Sequence, residues 1–252
     1  IISIISKKNI ISIISIISSI SIISSISNIS AGSVIWLLVY RMFPGSPKDN
    51  MAEVWAMVQA AYAHLDIKNQ FGNLLLNWFT DPDSYNSHYP KLKGKAGDIK
   101  NLIGPMLWVW TQKYDRENDM HQNVRQLLEL LLEITNLIDK YAHELFMSRE
   151  DSKSLRATID EFLKTYCSLC DSADRDEELL WNMVPKFHWL WHLVDRSFWL
   201  SPRRGACWID ETFVGIMKRI AAACVRRMQL HEVPTAIMRK WRWGMHADRL
   251  GF

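Results

Sequence analysis

The clearest pattern in the chain is an apolar stripe between Gln122 and Phe146. Apolar side chains recur there three or four residues apart, which indicates one buried face of an amphipathic helix. They are Val124, Leu127, Leu128, Leu131, Ile134, Leu137, Ile138, Tyr141 and Leu145. The run Ser148-Arg149-Glu150-Asp151 resembles a capping box and predicts the start of the next helix.

Helical spacing also covers most of the remaining chain. We expect helices in Met51–Phe79, divided at Gly72, and in Lys91–Trp110, which Pro105 interrupts or restarts. Further helices are expected near Asp210–Met228 and after Pro234, with a little sheet near Trp199–Ile209. Strand–turn–strand patterns and a βαβ rhythm are absent from the sequence. It therefore predicts a mostly α fold, a bundle of about six to eight helices.

The first thirty residues, Ile1–Ser30, consist almost wholly of Ile and Ser. Their short drifting period fits neither a helix stripe nor strict strand alternation. A membrane span and an aggregation-prone β tract are two interpretations, and we favour a third, a repeat-derived, disordered tract without selected structure. We divide the chain into a tract and apolar linker at 1–47 and a helical domain at 48–252. The chain begins with Ile1, so we expect a fragment of a longer frame.

Charge is unevenly distributed along the chain. Thr111–Leu180 has nine Lys/Arg against sixteen Asp/Glu, whereas Trp181–Phe252 has twelve against five. A basic end facing an anionic partner, an acidic middle facing the basic end, and two solvated helix faces all fit this pattern. The four cysteines are few for a disulfide scaffold of this length, which favours a reducing compartment.

The densest chemistry lies in Trp181–Arg219. His188 and His192 are four residues apart, so a helix would place both on one face. With Cys167 and Cys170 upstream they give a Cys-x2-Cys-x17-His-x3-His pattern that could hold Zn²⁺. The alternative is that the cysteines cap a helix end and the histidines pack among aromatic rings.

Aromatic and basic residues alternate towards the C-terminus. The rings of Trp189 and Trp191 could stack on exposed bases, although packing in a helical core is the commoner use of such rings. Interleaved Arg and Trp in the last helix suit phosphate contacts backed by stacking, and a solvated helix face is the alternative. The candidate nucleic-acid-binding residues are Arg203, Arg204, Lys218, Arg219, Arg226, Arg227, Arg239, Lys240 and Arg242.

Three segments together resemble the C-terminal part of the catalytic region of large eukaryotic DNA transposases, the CACTA and Kyakuja/Dileera/Zisupton-like group. Tyr89–Leu107 is similar to the family's LK-x-x-E-W-R helix, although Asp98-Ile99-Lys100 stands where Glu-Trp-Arg is usual. Val184–Leu193 is similar to the P-K-x-H-x-x-x-H segment. Ser201–Lys218 is similar to the G-P-x-x-x-W-x-x-x-x-E-x-x-x-G-x-x-K segment.

The resemblance implies an RNase H-like parent fold with a helical insertion, in which two aspartates and a glutamate hold Mg²⁺ for strand transfer. Glu211 matches the final glutamate, as a catalytic residue and Mg²⁺ ligand. In isolation, the acidic pair Asp210-Glu211 at a helix start is explained equally by its favourable interaction with the helix dipole. His188 and His192 match a histidine pair with a structural or DNA-positioning role. This chain has no upstream strands bearing the two aspartates, so it is expected to be catalytically incompetent alone.

Our leading hypothesis is a truncated or decayed transposase fragment that binds DNA through its basic C-terminal end. Such a protein would be nuclear, and otherwise intracellular, without a membrane span. The first alternative is a helical protein-interaction module with a helical protein partner and no nucleic-acid role. A weaker alternative is a small structural zinc domain at Cys167–His192.

Overall fold

The computed structural model divides the chain into two compact units, Ile1–Ala206 and Cys207–Phe252. Every regular element among the described residues is helical, which confirms the mostly α prediction. Side chains are described from Ile22 onward, apart from that of Arg196. The described residues are 7–199, 201–202, 220, 223–224, 232, 235–240 and 242–243.

The first unit contains six α-helices in its described part. They are α1 (Lys7–Leu37), α2 (Pro47–His64), α3 (Ala96–Lys113), α4 (Asp119–Lys140), α5 (Arg149–Arg175) and α6 (Lys186–Ser197). A π-helical turn, Leu38–Met42, continues α1, and a short 3-10 turn covers Leu76–Trp78. Helix α1 packs against α3 and α6, α5 packs against α4 and α6, and α3 packs against α2 and α4.

Helices α4 and α5 form where the apolar stripe and the capping box predict them. The stripe of α4 is buried at Leu127 and Leu128, and α4 packs against α5, on which Phe162 is buried. The Ser148 side chain accepts a hydrogen bond from the Asp151 backbone N–H at 3.0 Å and caps α5. Such a cap satisfies one of the four free N–H groups at a helix start.

The second half of the Ile/Ser tract differs from our prediction. Helix α1 includes it, and Ile26 and Ile35 are fully buried. Leu92 donates its backbone N–H to the Asn28 carbonyl at 2.9 Å, so the segment just before α3 lies directly against α1. A helix buried on several sides needs no polar face, which explains why the sequence pattern gave no amphipathic signal.

The stretch Ile22–Met42 is, by length and composition, long and apolar enough to cross a membrane. In this fold 78% of an 18-residue apolar window within that stretch is buried inside the protein. A buried core helix and a membrane span share the same composition, so the composition alone does not separate them.

The division of the chain also differs from the 1–47 and 48–252 division that we predicted. Helix α1 and the π-turn belong to the same compact unit as α2 to α6, and the boundary falls between Ala206 and Cys207. Buried Asn50 of α2 ties the π-turn to that unit, because its side-chain amide donates to the carbonyls of Val39, Phe43 and Gly45.

Two local predictions are corrected. The segment after His64 is not a second helix, because beyond α2 only the 3-10 turn Leu76–Trp78 is helical before α3. Helix α3 passes through Pro105 without a break. Pro105 is buried together with Leu102 and Met106, so packing outweighs the backbone hydrogen bond that proline removes.

Candidate functional site

Helix α6 carries the histidines, and its apolar stripe sets their direction. Phe187, Leu190 and Val194 are buried at helical spacing. The Phe187 ring lies 4.2 Å from the Tyr166 ring and 6.5 Å from the Phe162 ring, both on α5. Residues off this stripe therefore point away from the core.

His188 and His192 lie together on the outer side of α6, as the spacing predicts. Their rings are nearly perpendicular, with centroids 4.5 Å apart, and their Nε2 atoms are 3.0 Å apart. One Nε2–H donates to the other Nε2, so one ring is an acceptor and is neutral at that atom. The pair is a hydrogen-bonded unit on the surface of the helix.

A charged network continues from this pair to α5. The Nδ1 atom of His192 lies 3.8 Å from an Asp195 carboxylate oxygen, and Asp195 also pairs with Arg156. The Arg156 guanidinium lies 4.4 Å from the centre of the Trp191 ring, within cation–π range. The Arg156 guanidinium therefore already contacts the Asp195 carboxylate and the Trp191 ring.

The tryptophans of this stretch correct our expectation of core packing. Trp181 is buried, but Trp189, Trp191 and Trp199 are exposed, with 72% of Trp199 accessible to solvent. Phe198 is exposed beside Trp199, with ring centroids 5.3 Å apart. Their positions in the helix could have predicted this exposure, because Trp189 and Trp191 fall outside the buried Phe187–Leu190–Val194 stripe. The result is an exposed aromatic surface.

The cysteine pair lies within the last turns of α5 and does not cap its end. Cys167 is exposed, whereas Cys170 is half-buried and its thiol donates to the Trp181 carbonyl at 2.9 Å. Burial raises the pKa of the Cys170 thiol to about 12. Zinc is bound by the thiolate form, so this environment opposes the ionisation that binding requires.

No group of three or more His, Cys, Asp or Glu side chains that could hold a metal ion occurs within the part of the chain that the structure describes. The structure brings His188 and His192 together, and it places Cys170 in a hydrogen bond with backbone. The zinc site at Cys167, Cys170, His188 and His192 stays a prediction.

The basic end is described in part, at residues 235–240 and 242–243, which are helical as predicted. Arg239, Lys240 and Arg242 are all exposed, and Trp243 is 73% exposed. Arg239, Arg242 and Trp243 stand three and four residues apart, so they share one helix face. That face combines two guanidinium groups with an open ring.

The other candidate residues lie outside the described residues. This applies to Glu211, the predicted catalytic residue, and to the region Trp199–Ile209 where a little sheet was expected, apart from Trp199, Ser201 and Pro202. The other candidate residues outside the described part of the chain are Arg203, Arg204, Lys218, Arg219, Arg226 and Arg227.

Comparison with family models, with curated proteins and with solved structures finds no match to this chain.

Proposed function

We propose that the chain is a transposase-derived helical fragment that binds DNA through its basic C-terminal end and does not cleave DNA on its own. Two features support the proposal: the order of the three transposase-like segments, and the excess of twelve Lys/Arg over five Asp/Glu in Trp181–Phe252. The single observation that carries it is the exposed face formed by Arg239, Arg242 and Trp243.

This face has the two properties that backbone-directed DNA binding needs. Guanidinium groups pair with phosphate oxygens and release condensed counterions, which supplies affinity without sequence preference. An exposed indole ring can stack on an unpaired base, which favours single-stranded or distorted DNA. We therefore expect salt-sensitive binding with weak sequence selectivity.

Strand transfer by the parent family requires several carboxylates around its Mg²⁺ ions. Glu211 is the family-matched carboxylate, and it lies outside the described residues. The sequence offers no upstream strands bearing the other two carboxylates, so we propose no strand transfer by this chain alone. We propose a binding remnant, nuclear in location, in which Arg203, Arg204, Lys218, Arg219, Arg226 and Arg227 extend the phosphate-binding surface.

The test is a fluorescence anisotropy titration of a labelled DNA duplex, and of its single strand, with the full chain between about 50 and 200 mM salt. The variant Arg239→Gln/Lys240→Gln/Arg242→Gln is compared with Lys48→Gln/Lys68→Gln/Lys153→Gln. The two triple variants lose the same charge, and the control lysines are exposed on the first unit.

The proposal predicts that affinity falls steeply with salt and that the first variant loses about 0.9 in the logarithmic salt slope for each phosphate contact removed. The control variant keeps the wild-type slope. Binding that is absent at low salt, or equal loss in both variants, would contradict DNA binding at the basic end.

A second candidate, a helical protein-interaction module, is favoured by the exposed aromatic surface of α6 and the two residues that follow it. Trp189, Trp191, Phe198 and Trp199 are large rings of the kind enriched at protein interfaces. The same titration separates the two candidates, because a module without a nucleic-acid role gives no salt-dependent anisotropy change. A structural zinc domain would instead lower its melting temperature on chelation.

A further inference from the structure

A cavity of about 450 Å³ lies where three segments of the first unit meet. Its walls come from the end of α1 and the π-turn, from the loop before α3, and from the residues that follow α5. This volume falls within the range of small-molecule sites. No local pattern in the sequence indicates this cavity, because the three segments are far apart in the chain.

One wall of the cavity is aromatic. The rings of Tyr40 and Tyr85 stack in parallel with centroids 4.5 Å apart. The Trp36 ring lies 5.3 Å from Tyr40 and is tilted by 33°. The Trp36 indole N–H donates to the Tyr85 carbonyl at 3.3 Å, which holds the loop against the helix. Because the tyrosines cover each other, the three rings form a wall and do not enclose a box.

The lining is also acidic, because it contains Asp176, Glu177 and Glu178, directly after the last residue of α5. Glu178 pairs with Arg41, the basic side chain in the lining. Asp176 and Glu177 are exposed, and within the described residues neither forms an ion pair. The carbonyl end of α5 adds the negative pole of a long helix dipole, so the cavity favours a cation.

The backbone of this acidic segment is held in an unfavourable form. Glu177 has a φ angle of 56°, in the left-handed region that ordinary side chains avoid, and Trp181, which follows the lining residues in the chain, has one of 58°. Backbone strain of this kind concentrates at ligand-binding positions. The π-turn that carries Tyr40 and Arg41 is a second irregular element of a type that recurs at functional sites.

We propose that this cavity binds a linear aliphatic polyamine. Asp176 and Glu177, the lining carboxylates without an ion pair among the described residues, would each accept from one ammonium group, and the methylene chain would lie along the wall formed by Trp36, Tyr40 and Tyr85. An extended cation fits this arrangement better than a compact quaternary ammonium ion, because the latter is recognised by rings that surround it. An anion is repelled by the net negative lining.

The test is isothermal titration calorimetry of the full chain with spermidine, and with choline as the compact quaternary cation. We expect spermidine to bind more tightly than choline, and Asp176→Asn/Glu177→Gln to weaken spermidine binding at least tenfold. The control Glu117→Gln/Glu150→Gln removes the same charge elsewhere. Glu150 stands at the opposite end of α5, about 40 Å from the cavity for a helix of this length.

A second variant, Tyr85→Leu, tests the aromatic wall. It keeps the backbone carbonyl that accepts from Trp36, so the loop stays attached, and we expect a threefold to tenfold loss of spermidine affinity. Circular dichroism confirms that each variant is folded. The proposal is overturned if spermidine does not bind, or if the control variant loses as much spermidine affinity as Asp176→Asn/Glu177→Gln. It is also overturned if choline binds more tightly than spermidine and its affinity is unchanged in Asp176→Asn/Glu177→Gln.

Discussion

Helices α1 and α5 end beside the same cavity, but their sequences have little in common. Helix α5 begins at a Ser148 cap, has Glu150 and Asp151 in its first turn, and carries one apolar face. Helix α1 has no acidic residue in its first turn, no basic residue in its last turn, and Ile and Ser on all sides. Helix α5 is specified by its own sequence, whereas burial by neighbouring elements holds α1 in place.

The largest expected effects come from truncating one buried side chain in α1 and one in α4, the amphipathic helix that packs against α5. Ile26 of α1 and Leu127 of α4 are both fully buried. If α1 is an integral part of the core, Ile26→Ala and Leu127→Ala each lower the free energy of unfolding by about 2–5 kcal/mol, because each leaves a cavity. Urea denaturation measures both. An Ile26→Ala variant as stable as the wild type would remove α1 from the core.

A pair of glycines gives the next effect. A Cβ atom on Gly32 of α1 would lie 2.8 Å from the backbone N and Cα of Lys91, whereas one on Gly97 of α3 would meet nothing within 4 Å. We expect Gly32→Ala to cost about 1–3 kcal/mol through overpacking against backbone.

Gly97→Ala serves as the matched control for Gly32→Ala. It should be neutral or stabilising by up to about 1 kcal/mol, because alanine is the better helix former. Thermal unfolding of the two variants provides the comparison, and stabilisation by both would show that Lys91 does not press against α1.

Alanine substitution of one serine in α1 and of the serine that caps α5 should change the free energy of unfolding in opposite directions. Ser148→Ala removes the cap of α5 and should cost about 1 kcal/mol. The Ser30 hydroxyl is fully buried and, among the described residues, has no hydrogen-bond partner. Ser30→Ala removes this uncompensated polar group and should stabilise the protein by about 1 kcal/mol. A loss of stability in Ser30→Ala, measured in the same denaturation series, would reveal a partner for that hydroxyl.

The smallest effect depends on pH and belongs to α5. Hydrogen bonds from the Lys140 ammonium and the Tyr141 hydroxyl hold the pKa of the Asp151 carboxyl below its ordinary value of 3.8. A carboxyl whose pKa falls on folding stabilises the protein above its unfolded pKa, and the contribution is lost as pH falls through its folded pKa.

Melting temperatures of the wild type and Asp151→Asn should therefore differ near neutral pH and converge below about pH 4. The segment Ile22–Leu37 of α1 has no titratable side chain. The cost of Ile26→Ala should accordingly stay constant over the same pH range at which Asp151→Asn loses its effect. A constant difference for Asp151→Asn down to acid pH would contradict the role of its charge.

The predictable part of the fold is the part with local signals. The stripe of α4 and the cap at Ser148 each involve residues close together in the sequence, so α4 and α5 can both be predicted from it. Helix α1 has no such signal, because its helical state depends on contacts such as the one between Asn28 and Leu92. The continuation of α3 through Pro105 likewise depends on packing that no local pattern records.

The candidate site follows the same rule. The spacing of His188 and His192 predicts their shared face, and the spacing of Arg239 and Arg242 predicts theirs. The partner of Asp195, Arg156 on α5, could not be predicted, since the two are joined only by the packing of α5 on α6. The cavity was missed for the same reason, because Trp36, Tyr85 and Asp176 meet only in the folded chain.

Native-state hydrogen exchange of the segment Ile22–Leu37 tests the central structural claim most directly. Amides of core helices open only with global or near-global unfolding. If α1 is held by burial as described, its amides are protected to the same degree as those of α4 and α5. Exchange of Ile22–Leu37 at the rate of an unfolded chain, with α4 and α5 still protected, would contradict the account.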